Sequence, residues 1–162
     1  WAFVTAQQTR AEHLLSLIAD RFTTGIGLQE YVGSTEISNF LWGLATAQVH
    51  VKPRIITMVG DIAAQRILNF KLQELSITAW AMSRLGARHD RYFFALTQVL
   101  LESALLRSQI HPQGIANVLW AFAKQVELGS AVEKHFKATL PVLVTTCSRL
   151  LKDLKSFELS SA

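Results

Sequence analysis

The side chains best suited to catalysis or metal binding are scattered through this sequence. Its five histidines form no HExxH, HxxxH or Cys/His pattern with the spacing of a metal site; they are His13, His50, His89, His111 and His135. The single cysteine, Cys147, follows a β-branched run at core periodicity, which predicts a buried and inert thiol. No spacing favours Cys147 and His135 as a nucleophile and its base, and the carboxylates stand in no paired arrangement. The sequence therefore predicts that the protein is not an enzyme and uses no metal and no cofactor.

The composition suits one folded domain that meets an anionic partner. Of the 162 residues, 50% are hydrophobic and 17% are charged, and proline and glycine are sparse for an all-β chain. The formal net charge of +4 favours a negatively charged partner. A single cysteine excludes an internal disulfide and fits a reducing compartment. Because no apolar run approaches the roughly 18 to 20 residues that span a bilayer, we expect no membrane insertion.

One tryptophan-centred phrase recurs along the whole chain. The four tryptophans are spaced by 41, 38 and 40 residues; they are Trp1, Trp42, Trp80 and Trp120. Each is followed by a small residue and then by a large apolar one, as in Ala2–Phe3, Gly43–Leu44, Ala81–Met82 and Ala121–Phe122. An apolar residue stands five positions before the last three tryptophans, namely Ile37, Leu75 and Ile115. A period in this range is typical of stacked supersecondary units.

Each period contains two helical patterns. In the tryptophan helix, Leu75, Ala79 and Met82 fall at i, i+4 and i+7 on one side of a helix. Ser34 or Thr35 and Pro112 mark where two of these helices start. Second helices are predicted over about 10–23, 53–70, 90–107 and about 130–151, with a kink or split at Pro141.

The repeat predicts an all-α fold without strands, an α-solenoid of stacked antiparallel helix pairs. The repeats would span about 1–33, 34–71, 72–111 and 112–154, and residues 155–162 would begin a fifth. The last segment resembles the residues before Trp80, so we expect the chain to belong to a longer protein.

The phrase also predicts how the helices pack. We expect Ile37, Leu41, Trp42 and Leu44 in the core, with Gly43 allowing a neighbouring helix to approach closely. If the indole of Trp80 is buried in the same way, its replacement by alanine should cost about 3 to 5 kcal/mol.

The phrases EISNFLWGLATAQ, ELSITAWAMSRLG and PQGIANVLWAFAK resemble the octatricopeptide repeat and the related heptatricopeptide and FAST-kinase-like repeats. This resemblance covers essentially the whole chain. It implies a nuclear-encoded protein of the mitochondrion, or alternatively of the plastid, that binds organellar rRNA or mRNA in processing, stabilisation, translation or ribosome assembly. The C-terminal RAP domain that many members carry is not seen in this sequence.

The resemblance also implies that the tryptophan helices line the concave side and meet RNA through variable polar positions. Positions seven and three before the tryptophan and four after it share one face of the helix. The candidate RNA-binding residues are Thr35, Asn39, Thr46, Gln73, Arg84, Arg88, Gln113, Asn117 and Lys124. Amide side chains can pair with base edges, and Arg84 and Lys124 can neutralise phosphate. Equally, the asparagines could bond backbone between repeats, and Arg88, which clusters with Arg84 and Arg91, could belong to a solvated turn.

Two functions fit these patterns. The first is a non-catalytic RNA-binding helical-repeat protein, for example a mitoribosome component that contacts rRNA. The second is a structural or assembly scaffold that binds protein subunits of a large organellar complex, since fold alone does not choose between such uses. A continuous basic path with amide and aromatic side chains would favour RNA, whereas an apolar groove of mixed charge would favour protein.

Overall fold

The structure is a computed structural model, which describes residues 32–48, 51–102 and 111–160, with side chains to residue 150. Trp1 and its neighbours, the helix predicted over 10–23 and residues 103–107 lie outside the described residues. The described elements are helices α1 (Ser34–Ala47), α2 (Pro53–Gln65), α3 (Leu72–Arg84), α4 (Asp90–Glu102), α5 (Pro112–Glu127) and α6 (Glu133–Ser160), with a short 3-10 helix (Ile67–Asn69). The described part of the chain contains no strand, so the prediction of an all-α fold is confirmed.

Helix boundaries differ from the prediction for two of the second helices of the repeats. The helix predicted over 53–70 ends at Gln65 and is followed by the 3-10 turn. Helix α6 runs through Pro141 without a split, and it is continuous across residues 154 and 155, where a fifth repeat was expected to start. Helix α1 begins at Ser34, as predicted, with Gly33 as its N-cap and no capping hydrogen bond from a side chain.

The helices pack in two rows. Helix α3 lies between α1 and α5, and in the other row α4 lies between α2 and α6. The first row contributes the predicted core stripe, in which Leu75, Ala79 and Met82 are fully buried. This packing is consistent with the predicted helical-repeat arrangement.

Aromatic rings connect the two rows near the end of the described chain. Phe93 of α4 meets Phe122 of α5 edge to face, with 5.2 Å between the ring centroids. Phe122 in turn stacks on Phe136 of α6 at 5.6 Å. Buried aromatic contacts of this kind add to the stabilisation from area burial, so α4, α5 and α6 form one packed unit.

The three helices of the first row run in the same direction. At their N-terminal ends, Thr35 of α1 bonds Glu74 of α3, and Gln73 lies in one groove with Gln113 of α5. At the C-terminal ends of α3 and α5, the amide of Gln125 donates to Ser83. Equivalent positions of the repeat therefore lie side by side across the row.

Candidate functional site

The three described tryptophans lie wholly or partly at the surface, contrary to the prediction that they fill the core. Trp42 is 50% exposed, Trp120 is 40% exposed and Trp80 is partly buried. The buried stripe of α3 consists of Leu75, Ala79 and Met82, which stand five positions before Trp80, one position before it and two positions after it. At about 100° per residue, the tryptophan points to a different side of its helix from that stripe. The apolar stripe packs inward, and the indoles face outward from α1, α3 and α5.

The small residue after each tryptophan does not have one common role. Ala81 and Ala121 are fully buried, as close helix packing requires. A Cβ built on Gly43, however, meets no atom of the described chain within 4 Å. The predicted close approach is therefore not observed at Gly43 within the described residues.

Two of the indoles line a groove that crosses the first row of helices. The groove has a volume of about 660 Å³. It is lined by Trp42, Gln73, Ser76, Ile77, Trp80, His111, Gln113, Gly114 and Asn117. Trp120 lies next to it, with its ring centroid 6.4 Å from that of Trp80 and the two ring planes tilted by 41°. The surface thus combines flat aromatic faces with neutral hydrogen-bonding groups.

The N-terminal turns of α5 position several polar side chains of the groove. His111 is the N-cap of α5, and its Nδ1 accepts a hydrogen bond from the backbone N–H of Gln113 at 3.4 Å. One turn further along, Nε2 of Gln113 donates to Oδ1 of Asn117 at 3.1 Å. This bond leaves Oε1 of Gln113 as an acceptor and the Asn117 amino group as a donor.

The nine predicted RNA-binding residues fall into separate groups. Gln73, Gln113 and Asn117 line the groove. Asn39, Thr46 and Arg84 are exposed, but they do not line it. Thr35, Arg88 and Lys124 have partners within the protein and are treated in turn below.

Arg88 belongs to the joint between α3 and α4 rather than to the groove. Its Nη2 lies 2.8 Å from Oδ2 of Asp90. This guanidinium, together with the Ser130 hydroxyl, outweighs the effect of burial and holds the pKa of the Asp90 carboxyl below its usual range. Arg91 likewise pairs with Asp61 at 3.3 Å. The predicted cluster of Arg84, Arg88 and Arg91 is therefore not a free basic patch, because two of its members are in ion pairs.

Lys124 is also paired. Its Nζ lies 2.6 Å from Oε2 of Glu127, three residues further along α5. Arg84, at the matching position of α3, has no ion-pair partner among the residues that the structure describes. Of the two predicted phosphate ligands, Arg84 therefore offers the less neutralised charge.

Thr35 joins α1 to α3 through a carboxylate. Its hydroxyl donates to Oε1 of Glu74 at 2.6 Å, and the backbone N–H of Lys71 donates to Oε2 at 2.8 Å. Burial raises the pKa of Glu74, but the bonds from Thr35, Lys71 and Ser34 outweigh it, so the pKa is lowered overall. At the matching place of α5, Gly114 has no side chain and lines the groove.

Sequence reasoning missed the indoles, although the signal was present. The positions seven and three residues before each tryptophan and four residues after it were assigned to one face of the helix. The tryptophan itself lies on that same side and between these positions along the helix axis. Ser76, Ile77, His111 and Gly114 also line the groove. Their participation depends on how α3 and α5 meet, which the repeat alone does not specify.

Among the described residues, no group of three or more histidine, cysteine, aspartate or glutamate side chains could hold a metal ion. Cys147 is half-buried against the core rather than fully buried. Within the same residues, no helix is both long enough and apolar enough to cross a membrane. The chain matches no family model, no curated protein and no solved structure.

Proposed function

We propose that the groove binds single-stranded RNA, and that the protein is a non-catalytic RNA-binding helical-repeat protein of an organelle. Three partly exposed indoles on consecutive helices of one row carry this proposal. The resemblance of the repeat to organellar RNA-binding repeats supports the mitochondrion, or alternatively the plastid, as its location. Processing, stabilisation and rRNA contact within a mitoribosome are the tasks that this resemblance suggests.

Exposed indoles favour unpaired bases over a duplex. Each base has a π-face, and stacking on an aromatic side chain contributes about 1 to 3 kcal/mol per base. In an RNA helix the bases already stack on one another, and the deep major groove hides their edges. A row of indoles therefore selects single-stranded segments, loops and ends.

Neutral groups dominate the groove, so stacking and hydrogen bonds supply most of the proposed affinity. The amides of Gln73, Gln113 and Asn117 can donate to base edges and accept from them. No residue that lines the groove is an arginine, lysine, aspartate or glutamate. Because the salt dependence of RNA binding scales with the number of phosphates contacted, we expect it to be weak.

A protein scaffold is the second candidate function, and the same neutral lining favours it. Exposed tryptophans are enriched in the centres of protein interfaces. In this case the groove would take an apolar segment of another subunit of a large organellar complex.

The direct test measures the affinity of the chain for fluorescent single-stranded RNA by anisotropy. Trp42→Ala and Trp120→Ala should each weaken binding about 5- to 150-fold, as expected for the loss of one stacking contact. The matched control is Leu68→Ala, because Leu68 is 82% exposed but lies outside the groove. Binding that is absent, or that all three variants retain, would contradict the proposal.

Crosslinking in cells then identifies the partner. Enrichment of organellar transcripts or rRNA in the crosslinked material, lost in Trp42→Ala, is the expected result. Recovery of protein subunits without RNA would instead support the scaffold.

A further inference from the structure

Three rows of equivalent positions cross the helices of the groove face. The indoles form the middle row. The C-terminal row, four residues after each tryptophan, consists of Thr46, Arg84 and Lys124. The N-terminal row, three and seven residues before it, consists of Thr35, Asn39, Gln73, Ile77, Gln113 and Asn117. At 1.5 Å per residue, the C-terminal row lies about 6 Å from the indoles and the nearer N-terminal positions about 4.5 Å on the other side.

Charge differs between the two outer rows. Arg84 is exposed in the last turn of α3 and has no ion-pair partner among the described residues, whereas Lys124 at the same end of α5 is paired with Glu127. At the opposite end, the bonds from Thr35 and Lys71 hold the Glu74 carboxylate between α1 and α3. The C-terminal row therefore carries in Arg84 the cation available to a phosphate. The Glu74 carboxylate at the opposite end is mostly buried and lies beside the exposed Lys71.

We infer that single-stranded RNA crosses α1, α3 and α5 in one orientation, with phosphates on the C-terminal row and base edges directed at the N-terminal row. This inference rests on the RNA-binding function proposed above. The bases stack on the indoles between the two rows. The separation of about 6 Å along the helix axis suits a phosphate on one side of an indole and the base of the same nucleotide on its face.

The helices differ in what they offer to a base edge. On α5, the bond from Gln113 to Asn117 orients both amides and leaves one acceptor and one donor facing the groove. On α3, Ile77 takes the place of the asparagine and can form no such bond. RNA binding is therefore selective at the nucleotide next to α5 and tolerant at the nucleotide next to α3.

Two variants separate the rows by different measurements. Affinity is measured over a series of salt concentrations for single-stranded oligonucleotides that differ at one position. Arg84→Gln should weaken all sequences about equally and reduce the slope of log affinity against log salt by about 0.7, the value for one phosphate on a single strand. Asn117→Ala should leave that slope unchanged and narrow the spread of affinities among sequences.

Controls keep the result specific to the two rows. Arg54→Gln removes an exposed arginine from α2, in the other row of helices, and should change neither quantity. Ile77→Asn should widen the spread of affinities at the nucleotide next to α3, which a merely structural role of this position would not do.

The possible outcomes distinguish the inference from the function on which it rests. If Arg84→Gln leaves the salt slope unchanged and instead narrows the spread of affinities among sequences, Arg84 contacts bases rather than a phosphate. The orientation is then overturned while RNA binding stands. If Arg84→Gln and Arg54→Gln reduce the slope equally, the C-terminal row is not the phosphate row, and the inference again fails. An unaltered chain that binds no RNA would overturn the proposed function and the orientation together.

Discussion

The Thr35 hydroxyl donates a 2.6 Å hydrogen bond to the Glu74 carboxylate, joining two helices from residues 39 positions apart in the sequence. The backbone N–H of Lys71 bonds the other carboxylate oxygen, so Glu74 also satisfies a donor at the start of its own helix. Because Glu74 is only 8% exposed, its charge depends on these bonds. The pair thus connects α1 to α3 at the N-terminal end of the groove face.

The lowered pKa of Glu74 predicts a loss of stability in acid. A group whose pKa is lower in the folded than in the unfolded state stabilises the fold at pH values above its unfolded pKa, which is 4.5 for Glu74. That contribution is lost as the pH falls through the folded value. We expect the free energy of unfolding, measured with urea between about pH 7 and 3, to fall less steeply in Glu74→Gln than in the unaltered chain.

Thr35→Val supplies the companion variant for Glu74. It removes one bond to the carboxylate, so it should raise the pKa of Glu74 and reduce the acid-dependent loss of stability in part. If the free energy of unfolding depends equally on pH in the unaltered chain, Glu74→Gln and Thr35→Val, these hydrogen bonds do not lower the pKa of Glu74.

The outward direction of the indoles predicts opposite effects of neighbouring substitutions. Leu41 is fully buried and Trp42 is half exposed. We expect Leu41→Ala to lower the free energy of unfolding by about 2 to 5 kcal/mol, as for a large core side chain. Trp42→Ala should lower it by only about 1 kcal/mol or less.

Urea denaturation of the two variants side by side measures this difference. For Trp80→Ala, the sequence-based figure of about 3 to 5 kcal/mol presupposes full burial. Because Trp80 is only partly buried, we now expect a smaller loss. A Trp42→Ala loss as large as that of Leu41→Ala would place the indole back in the core.

A buried amide predicts a large effect at the joint between α3 and α4. The Gln125 side chain is fully buried, donates to Ser83 and to the Ala87 carbonyl, and accepts from the His89 backbone N–H. Gln125→Ala leaves the Ala87 carbonyl and the His89 N–H without this partner, while the Ser83 hydroxyl keeps its bond to the Ala121 carbonyl. Each buried unsatisfied group costs about 1 to 3 kcal/mol. For two such groups we expect a total loss of about 2 to 6 kcal/mol in thermal or urea unfolding.

The control for this substitution is Gln113→Ala. Gln113 is exposed, so its stability change should stay within about 0.5 kcal/mol. Similar losses at the two glutamines would argue against the buried network.

Alanine substitutions at two helical glycines are expected to change the stability of the protein in opposite directions. A Cβ on Gly60 would lie 2.5 Å from Cε of Met82 and 2.6 Å from the His89 ring. Gly60→Ala should therefore destabilise the protein by about 1 to 3 kcal/mol through overpacking. Gly43→Ala meets no described atom within 4 Å and should stabilise it by about 0.5 to 1 kcal/mol through helix propensity.

Thermal melting of the two glycine variants provides the measurement. A stabilised Gly60→Ala protein would show that α2 does not approach Met82 and His89 this closely. A destabilised Gly43→Ala protein would show that α1 has a close neighbour at this position.

Part of the candidate site could be deduced from helical spacing. Ile37, Leu75 and Met82 were assigned to the core and are buried, because the apolar stripe alone requires an inward face. The same arithmetic places the indoles with the polar positions, and the general tendency of tryptophan to be buried obscured that signal. The ion pair between Lys124 and Glu127 was also readable, since residues three apart are neighbours on a helix.

Other features depend on contacts between distant residues. The spacing of the repeat shows that Gly114 stands at the position of Glu74, but not that Glu74 bonds Thr35 of a neighbouring helix. Likewise, Arg84 and Arg88 look alike in the sequence, and only the position of Asp90 distinguishes the exposed cation from the paired one.

The sequence by itself determined the all-α fold, the inward stripe of each tryptophan helix and the polar positions beside each indole. These follow from local periodicity, because residues three and four apart share a helix face whatever surrounds them. The tertiary structure decided which of those positions meet in one groove. It also decided which hydrogen-bonding partners Glu74, Gln125 and Asp90 have on neighbouring elements, because those partners are 36 to 42 residues away in the sequence.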